Sequence, residues 1–183
     1  AKIPYREAAR IGTYKLIRYH STSGILVTKD GTVNNIPRAA AEKAEVEIVG
    51  KLKDIGKPFV IVLNSKMPAN EKTVALKQEL HERYEVPVIA ISADQLNAQE
   101  IQLILKEALY EFPITEIELQ KPDWMEVLGN EHELNASIDK VISEGFLGAS
   151  KIRKVQELAE QIKGEKYVRQ AEVVEVDAGQ GKD

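Results

Sequence analysis

Residues 1–113 alternate between apolar positions spaced as on one face of a helix and short, continuous apolar runs typical of buried strands. The helical spacing predicts helices over residues 3–19, 37–55, 73–84 and 97–110. The apolar runs predict strands over residues 25–28, 59–63 and 86–91. Because strands that alternate with helices are joined by right-handed crossovers, this pattern predicts an α/β fold in which helices cover both faces of a parallel sheet.

The hydrophobic pattern changes after Phe112-Pro113, which marks a predicted domain boundary. Apolar residues at positions 114, 117 and 119 predict a strand, which Pro122 ends. Helices over 134–142 and 152–162, and a strand over 167–176, are predicted beyond it. We therefore expect residues 114–183 to begin a second domain of α+β character.

The charge balance and the lack of cysteine exclude several classes of function. Lys and Arg number 25 and Asp and Glu number 29, and the net charge of −4 argues against a nucleic-acid partner. A chain without cysteine has no disulfide, thiolate metal site or cysteine nucleophile. No apolar run approaches the roughly 20 residues that span a bilayer, and no signal peptide opens the chain.

Because the chain starts at Ala1 and ends on a polar tail, we expect it to be a piece of a longer protein.

Residue spacing predicts neither a metal site nor a phosphate-binding loop. The three histidines are far apart in sequence and do not have the spacing of metal ligands. The Gly50–Pro58 segment resembles a phosphate loop only superficially, because a helix precedes it and a strand follows it. Glu42, Glu45 and Glu47 lie beside lysines on one helix, which predicts a solvated face with paired charges.

Polar side chains follow each predicted strand at its carboxyl end. These segments are 29–31, 64–66 and 92–94. Open parallel sheets bind ligands at this edge, which favours one wall of a nucleotide crevice. Asp, Asn and Ser are also common turn residues, so ordinary turns are an equally good interpretation of the spacing.

Two of these segments resemble the base-reading motifs of Era-like, translation-factor-class GTPases. That class has Asn-Lys-x-Asp after one strand and Ser-Ala after the next, and this chain has Asn64-Ser65-Lys66-Met67 and Ser92-Ala93. The resemblance implies that Asn64, Lys66, Ser92 and Ala93 lie near a nucleotide base, and it identifies no catalytic residue. Since Met67 replaces the carboxylate that accepts hydrogen bonds from guanine, we expect selectivity for guanine to be absent.

A second resemblance rests on longer stretches of the sequence, which are Glu7–Thr13, His20–Thr22, Asp30–Thr32, Gly56–Phe59, Leu63–Ser65 and Glu107–Pro113. These stretches resemble the stage IV sporulation protein A family, the morphogenetic ATPases of endospore-forming bacteria. The resemblance is dense over residues 3–128 and thins towards residue 183.

This resemblance implies a fold, an activity and a location. Family members bind ATP and Mg²⁺, hydrolyse ATP, and polymerise irreversibly into the basement layer of the spore coat. They do so in the mother-cell cytoplasm at the outer forespore membrane, where a small amphipathic peptide tethers them and other coat proteins build on them. Residues 1–113 would be the C-terminal half of a P-loop GTPase-like three-layer α/β/α domain, and residues 114–183 the start of the middle domain.

Because the phosphate loop is missing from the sequence, the chain by itself is expected to be non-catalytic and to hold no nucleotide or metal. In the strand order of this class, the 25–28 strand would lack the neighbour that the phosphate-loop strand provides. We therefore expect dimerisation or strand exchange through this edge.

The alternative to an ATPase function is a degenerate GTPase-like scaffold without hydrolysis. A GTPase of the ribosome-assembly type is disfavoured by Met67 and by the acidic charge.

Overall fold

Three parallel strands form one sheet in the computed structural model, which describes residues 5–34, 37–118, 120–129, 132–146, 150–164, 168–174 and 176. The strands are β1 (Gly24–Lys29), β2 (Phe59–Asn64) and β3 (Val88–Ile91), and β2 lies in the centre. The helices are α1 (Tyr5–His20), α2 (Arg38–Ile55), α3 (Glu71–Tyr84), α4 (Ala98–Tyr110), α5 (Asp123–Val127), α6 (Glu133–Phe146) and α7 (Ile152–Lys163). The predicted α/β fold with a parallel sheet is confirmed.

Both faces of β2 are buried, as its uninterrupted apolar sequence predicts. On one face Phe59, Ile61 and Leu63 pack in a core with apolar residues of α2 and α3. On the other face Val60 and Val62 pack with β3 and α4. Two-sided burial therefore fixes β2 as the centre of the sheet.

The α4 face of the sheet is uncovered over β1. Ile25 and Val27 pair in register with Val60 and Val62, so they lie on the same face, yet they are 49% and 59% exposed. Among the residues described, β1 pairs with β2 and has no strand along its other edge. This part of the chain thus presents an apolar strand with an open edge.

Local signals in the sequence account for the ends of the helices. Gly56 ends α2 in the left-handed conformation at φ +72°, where its backbone N–H bonds back to Lys53. Asn97 begins α4 with a capping box, in which its side chain and that of Glu100 each accept from the other residue's backbone N–H. Asn70 caps α3 by accepting from the N–H of Lys72.

Contacts divide the chain into two units, residues 1–112 and 113–183. Within the second unit, Met125, Leu134 and Ile138 form a small core, with Ile142 and Val168 packed against it. Helices α6 and α7 also pack together, and a Cβ built on Gly145 would overlap Leu158 Cδ1. The close approach explains why a residue without a side chain occupies position 145.

Two strand predictions for this second unit are wrong. Residues 114–118 are not a strand, and neither are 168–174 or 176, while Leu119, Tyr167 and Glu175 lie outside the described residues. The β pairing there is a single bridge between Pro113 and Lys151, within the part that the structure describes. A short segment makes a strand only where another strand can pair with it. The short helix α5 was not predicted.

The prediction of a fully solvated face on α2 is wrong for Glu45, which is 2% exposed. Glu42 and Glu47 do lie at the surface, in ion pairs with Arg83 and Lys51. Glu45 is buried because its charge is neutralised inside the protein by Arg38, whose guanidinium donates to both carboxylate oxygens at 2.8 and 2.9 Å.

Candidate functional site

The loops that follow the three strands meet at one edge of the sheet, which we call the carboxyl edge. The N–H of Asp30 donates to the Asn64 carbonyl at 3.3 Å, and the N–H of Ser65 donates to the Ile91 carbonyl at 2.9 Å. These bonds continue the sheet ladder beyond the strands. The segments predicted from the sequence as one wall of a crevice are therefore neighbours in space.

Asn64 and Ala93, two of the predicted base-proximal residues, are in direct contact. The Asn64 side-chain oxygen Oδ1 accepts from the backbone N–H of Ala93 at 3.0 Å. This leaves the Asn64 amide nitrogen, with its two N–H donors, without a partner among the residues described. Ser92 precedes a single 3₁₀ turn over Ala93–Gln95, which follows β3 directly.

Lys66, the remaining predicted residue, belongs to a loop that we call the base loop, residues 64–67. Its side chain is exposed, and its backbone N–H donates to Thr32 Oγ1 at 3.0 Å. The next backbone N–H, that of Met67, donates to Ser65 Oγ at 3.0 Å. Side-chain hydroxyls therefore hold the backbone of the base loop at two consecutive amides.

Asp30 links these hydroxyls in a cluster that we call the Asp30 network, formed by Asp30, Thr32, Ser65 and Thr73. Its Oδ1 accepts from the N–H and the hydroxyl of Thr32 at 2.8 and 2.6 Å, and its Oδ2 accepts from the Thr73 hydroxyl at 3.2 Å. The hydroxyls of Thr73 and Ser65 lie 3.2 Å apart. Ser65 and Thr73 are buried, at 0% and 4% exposure.

The Asp30 network favours the ionised form of the carboxyl group. Burial of Asp30 opposes ionisation, but hydrogen bonds from Ser65, Thr32 and Thr73 hold its pKa below the ordinary value for aspartate. Gly31 takes φ +100°, which lets the chain reverse between Asp30 and Thr32. The Asp30 carboxylate therefore acts only as a hydrogen-bond acceptor in this network.

A buried ion pair lies beside the end of β1. Arg38, which pairs with Glu45, also donates to Thr28 Oγ1 at 3.2 Å, and the Tyr84 hydroxyl donates to Glu45 Oε1 at 2.9 Å. Burial opposes ionisation of Glu45, but hydrogen bonds from Arg38, Thr28 and Tyr84 hold its pKa below the ordinary value. The pair thus ties α2 and α3 to the strand that leads into the carboxyl edge.

Sequence reasoning missed most of the Asp30 network. The Asp-Gly-Thr turn at residues 30–32 has the composition of a turn in which the aspartate accepts from the chain two residues on, so Thr32 could have been found. Thr73 lies in the first turn of α3, 43 residues from Asp30, and no local pattern links the two.

A cavity of about 330 Å³ lies beside the Asp30 network, between Asp30, Met67 and Leu76.

Within the part of the chain that the structure describes, no three His, Cys, Asp or Glu side chains come together to hold a metal ion. The described helices also include none that is both long and apolar enough to cross a membrane.

Two family models match the chain. The model for the stage IV sporulation protein A ATPase domain matches residues 1–113. The model for the middle domain of the same family matches residues 114–183. No solved structure matches the chain.

Curated relatives with the name stage IV sporulation protein A are similar over nearly the whole chain. The Bacillus anthracis protein is 38% identical over 179 residues, and the Bacillus subtilis protein is 37% identical over 179 residues. The Clostridioides difficile protein is 34% identical over 177 residues. These alignments cover 97–98% of this chain but 36% of each relative, so the chain spans about a third of their length.

Proposed function

The chain belongs to the stage IV sporulation protein A family, and we propose that it supplies the base-binding side of an ATP site in a longer sporulation ATPase. The observation that carries this proposal is the hydrogen bond between Asn64 and Ala93, which joins the two loops predicted to lie near the base. It stands at the carboxyl edge of a parallel sheet, where such folds bind nucleotides. Asn64, Lys66, Ser92 and Ala93 would line the base side of the site.

The donors and acceptors of the base loop suit adenine better than guanine. The Asn64 amide nitrogen offers a donor to N7, which is an acceptor in either purine. Guanine also presents N–H donors that need a carboxylate acceptor, and Met67 stands where the related GTPases have one. We therefore propose binding of ATP in preference to GTP.

Hydrolysis needs groups that these 183 residues do not contain. Phosphoryl transfer depends on a phosphate-binding loop and Mg²⁺, and the sequence has no Gly-x4-Gly-Lys-Ser/Thr motif. In this proposal residues 1–113 are the base-side half of the ATPase domain and residues 114–183 the start of the middle domain. We call the protein that also carries the phosphate loop the intact protein.

The proposed cellular role follows from membership of the family. ATP hydrolysis by the intact protein would drive its polymerisation into the basement layer of the spore coat. The site of assembly would be the mother-cell cytoplasm at the outer forespore membrane. There a small amphipathic peptide would anchor the polymer, and other coat proteins would bind to it.

The first prediction compares the 183-residue chain with the intact protein in a steady-state phosphate-release assay with Mg²⁺ and ATP. The intact protein is expected to turn over ATP with little activity on GTP. The chain alone is expected to show no activity above buffer, because it lacks the contacts that stabilise the transferred phosphoryl group. Steady hydrolysis by the chain alone would contradict the proposed division of the site.

The alternative function is a scaffold that shares the GTPase-like fold but does not use nucleotide. The specific observation in its favour is that Ser65 and Met67 replace two motif residues that contact nucleotide in the related GTPases. A titration of the intact protein with ATP separates the two functions. Saturable binding supports the ATPase, and no binding at millimolar ATP supports the scaffold.

The second prediction concerns self-association of the 183-residue chain through β1. The strand combines an open edge with exposed Ile25 and Val27 and contains no proline, and such an edge is a template for pairing with a second copy. Analytical ultracentrifugation is expected to show a dimer whose population rises with concentration. The double variant Ile25→Lys/Val27→Lys is expected to be monomeric.

A matched control uses two exposed apolar residues on α2. Val46 and Ile48 are 52% and 40% exposed, so Val46→Lys/Ile48→Lys adds the same charge away from β1. This variant is expected to dimerise as the unmodified chain does. A chain that stays monomeric at all concentrations would contradict the proposed pairing.

A further inference from the structure

Both carboxylate oxygens of Asp30 are engaged within the chain, and they serve different elements. Oδ1 accepts twice from Thr32, two residues on, which is the ordinary pattern of an aspartate turn. Oδ2 accepts from Thr73 in the first turn of α3, a contact that the turn does not need. The carboxylate therefore joins the loop after β1 to the helix that follows the base loop.

Hydrogen-bond geometry fixes the direction of the Thr32 hydroxyl proton in the Asp30 network. The single proton of Thr32 Oγ1 points at Asp30, which leaves the oxygen to accept from the N–H of Lys66. The Thr73 hydroxyl donates to Asp30, and its oxygen lies 3.2 Å from the Ser65 hydroxyl, a pair in which either oxygen can be the donor. The Ser65 oxygen in turn accepts from the N–H of Met67.

The two chains of hydrogen bonds thus run from Asp30 to consecutive amides of the base loop. One passes through Thr32 to Lys66, and the other passes through Thr73 and Ser65 to Met67. Both need an acceptor without a proton at position 30, because each hydroxyl has only one proton to donate. A side-chain amide at this position would offer an N–H to one of the two chains of hydrogen bonds. The hydroxyls of that chain would then have to accept at position 30 instead of donating.

We propose that Asp30 is a positioning residue that sets the conformation of the base loop. Through the base loop it orients the Asn64 side-chain amide towards the base. This rests on the proposed function above. Asp30 acts at a distance from the nucleotide: it orders Thr32 and Thr73, which hold the backbone next to Asn64. Loss of the carboxylate should weaken the contact with N7 while leaving the rest of the nucleotide bound.

The test measures binding of ATP and of 7-deaza-ATP, which lacks the N7 acceptor, to the intact protein by calorimetry. The wild type is expected to prefer ATP by about tenfold, the value of one well-formed hydrogen bond. Thr32→Val, which removes the hydroxyl at an exposed position, and Asp30→Asn are each expected to reduce this preference to about twofold or less. Thr32→Ser, which keeps the hydroxyl, is expected to retain it.

Matched controls lie outside the network. Thr22→Val and Asp54→Asn make the same chemical changes at exposed positions and are expected to keep the wild-type preference. If Asp30→Asn does not fold, Thr32→Val decides the question, because its side chain lies at the surface.

The outcomes separate this inference from the proposed function. If the wild type does not bind ATP, the proposed function fails and the inference fails with it. If the wild type binds ATP and 7-deaza-ATP equally, Asn64 makes no contact with N7 and the inference is overturned, while the proposed binding of ATP stands. If the wild type prefers ATP and Thr32→Val prefers it equally, the inference is overturned while the proposed function stands. Loss of preference in Thr32→Val and its return in Thr32→Ser support the positioning role.

Discussion

Replacement of Glu45 by alanine is expected to lower the free energy of unfolding of the 183-residue chain by about 3–5 kcal/mol. Glu45 is 2% exposed, and its carboxylate receives two hydrogen bonds from Arg38 and one from Tyr84. Removal of the carboxylate leaves a half-buried guanidinium without its counter-charge and a buried hydroxyl without its acceptor. Urea unfolding followed by circular dichroism measures the loss.

Two further variants test the physical reason for this effect. Glu47→Ala removes a surface carboxylate paired with Lys51 on the same helix and is expected to cost less than about 1 kcal/mol. The double variant Arg38→Leu/Glu45→Leu removes both charges and is expected to recover much of the stability, because neither group is then left buried and unpaired. If Glu45→Ala costs no more than Glu47→Ala, the buried pair does not stabilise the fold.

The same residue predicts the response of the chain to acid. The pKa of Glu45 in the folded chain lies below its ordinary value of about 4.3. Its contribution to stability is therefore complete above the ordinary pKa and is lost as pH falls through the lower, folded pKa. Between pH 6 and pH 3 the wild type is expected to lose more stability than Glu45→Gln, which has no carboxyl group to protonate at that position.

The hydrophobic pattern predicted the sheet because burial decides where strands form. Residues 59–63 are apolar at every position and form the central strand, buried on both faces. The strand prediction failed for residues 114–118, since a short segment becomes a strand only beside another strand, and none lies there among the described residues. Such pairing is a property of the whole fold that no short segment encodes.

The burial of charged residues is harder to predict from the sequence than the burial of apolar residues. Glu45 lies on the same helix as Glu42 and Glu47, yet it is buried because Arg38 and Tyr84 reach it in the folded chain. Tyr84 lies 39 residues away, so its contribution could not be predicted from local spacing.

Family resemblance and the rule that ligands bind at the carboxyl edge of a parallel sheet predict where the candidate site lies. That rule brought the loops containing Asn64 and Ala93 to one place, and their hydrogen bond is consistent with it. The contacts that hold the base loop, from Thr32 and Thr73, depend on loop conformations that only the structure provides.

Replacement of Asn64 by aspartate is expected to weaken ATP binding to the intact protein by about 10- to 100-fold. Aspartate keeps the oxygen that accepts from the Ala93 N–H, so the link between the two loops survives. It replaces the amide nitrogen with a second oxygen, which repels N7 instead of donating to it. The loss of affinity therefore reports on contact with the base rather than on loop structure.

A matched control is Asn70→Asp. Asn70 caps α3 through the same side-chain oxygen, and aspartate is an equally good cap, so this variant is expected to fold and bind ATP as the wild type does. It adds the same negative charge close to the base loop. A general effect of added charge would therefore weaken both variants alike.

The most direct test of base binding at the carboxyl edge is a calorimetric titration of the intact protein, as wild type and as Asn64→Asp, with ATP and with 7-deaza-ATP. The wild type is expected to bind ATP more tightly than 7-deaza-ATP, and Asn64→Asp is expected to lose this preference through a 10- to 100-fold drop in ATP affinity. ATP binding to Asn64→Asp at the wild-type affinity would contradict the assignment of the carboxyl edge to the base.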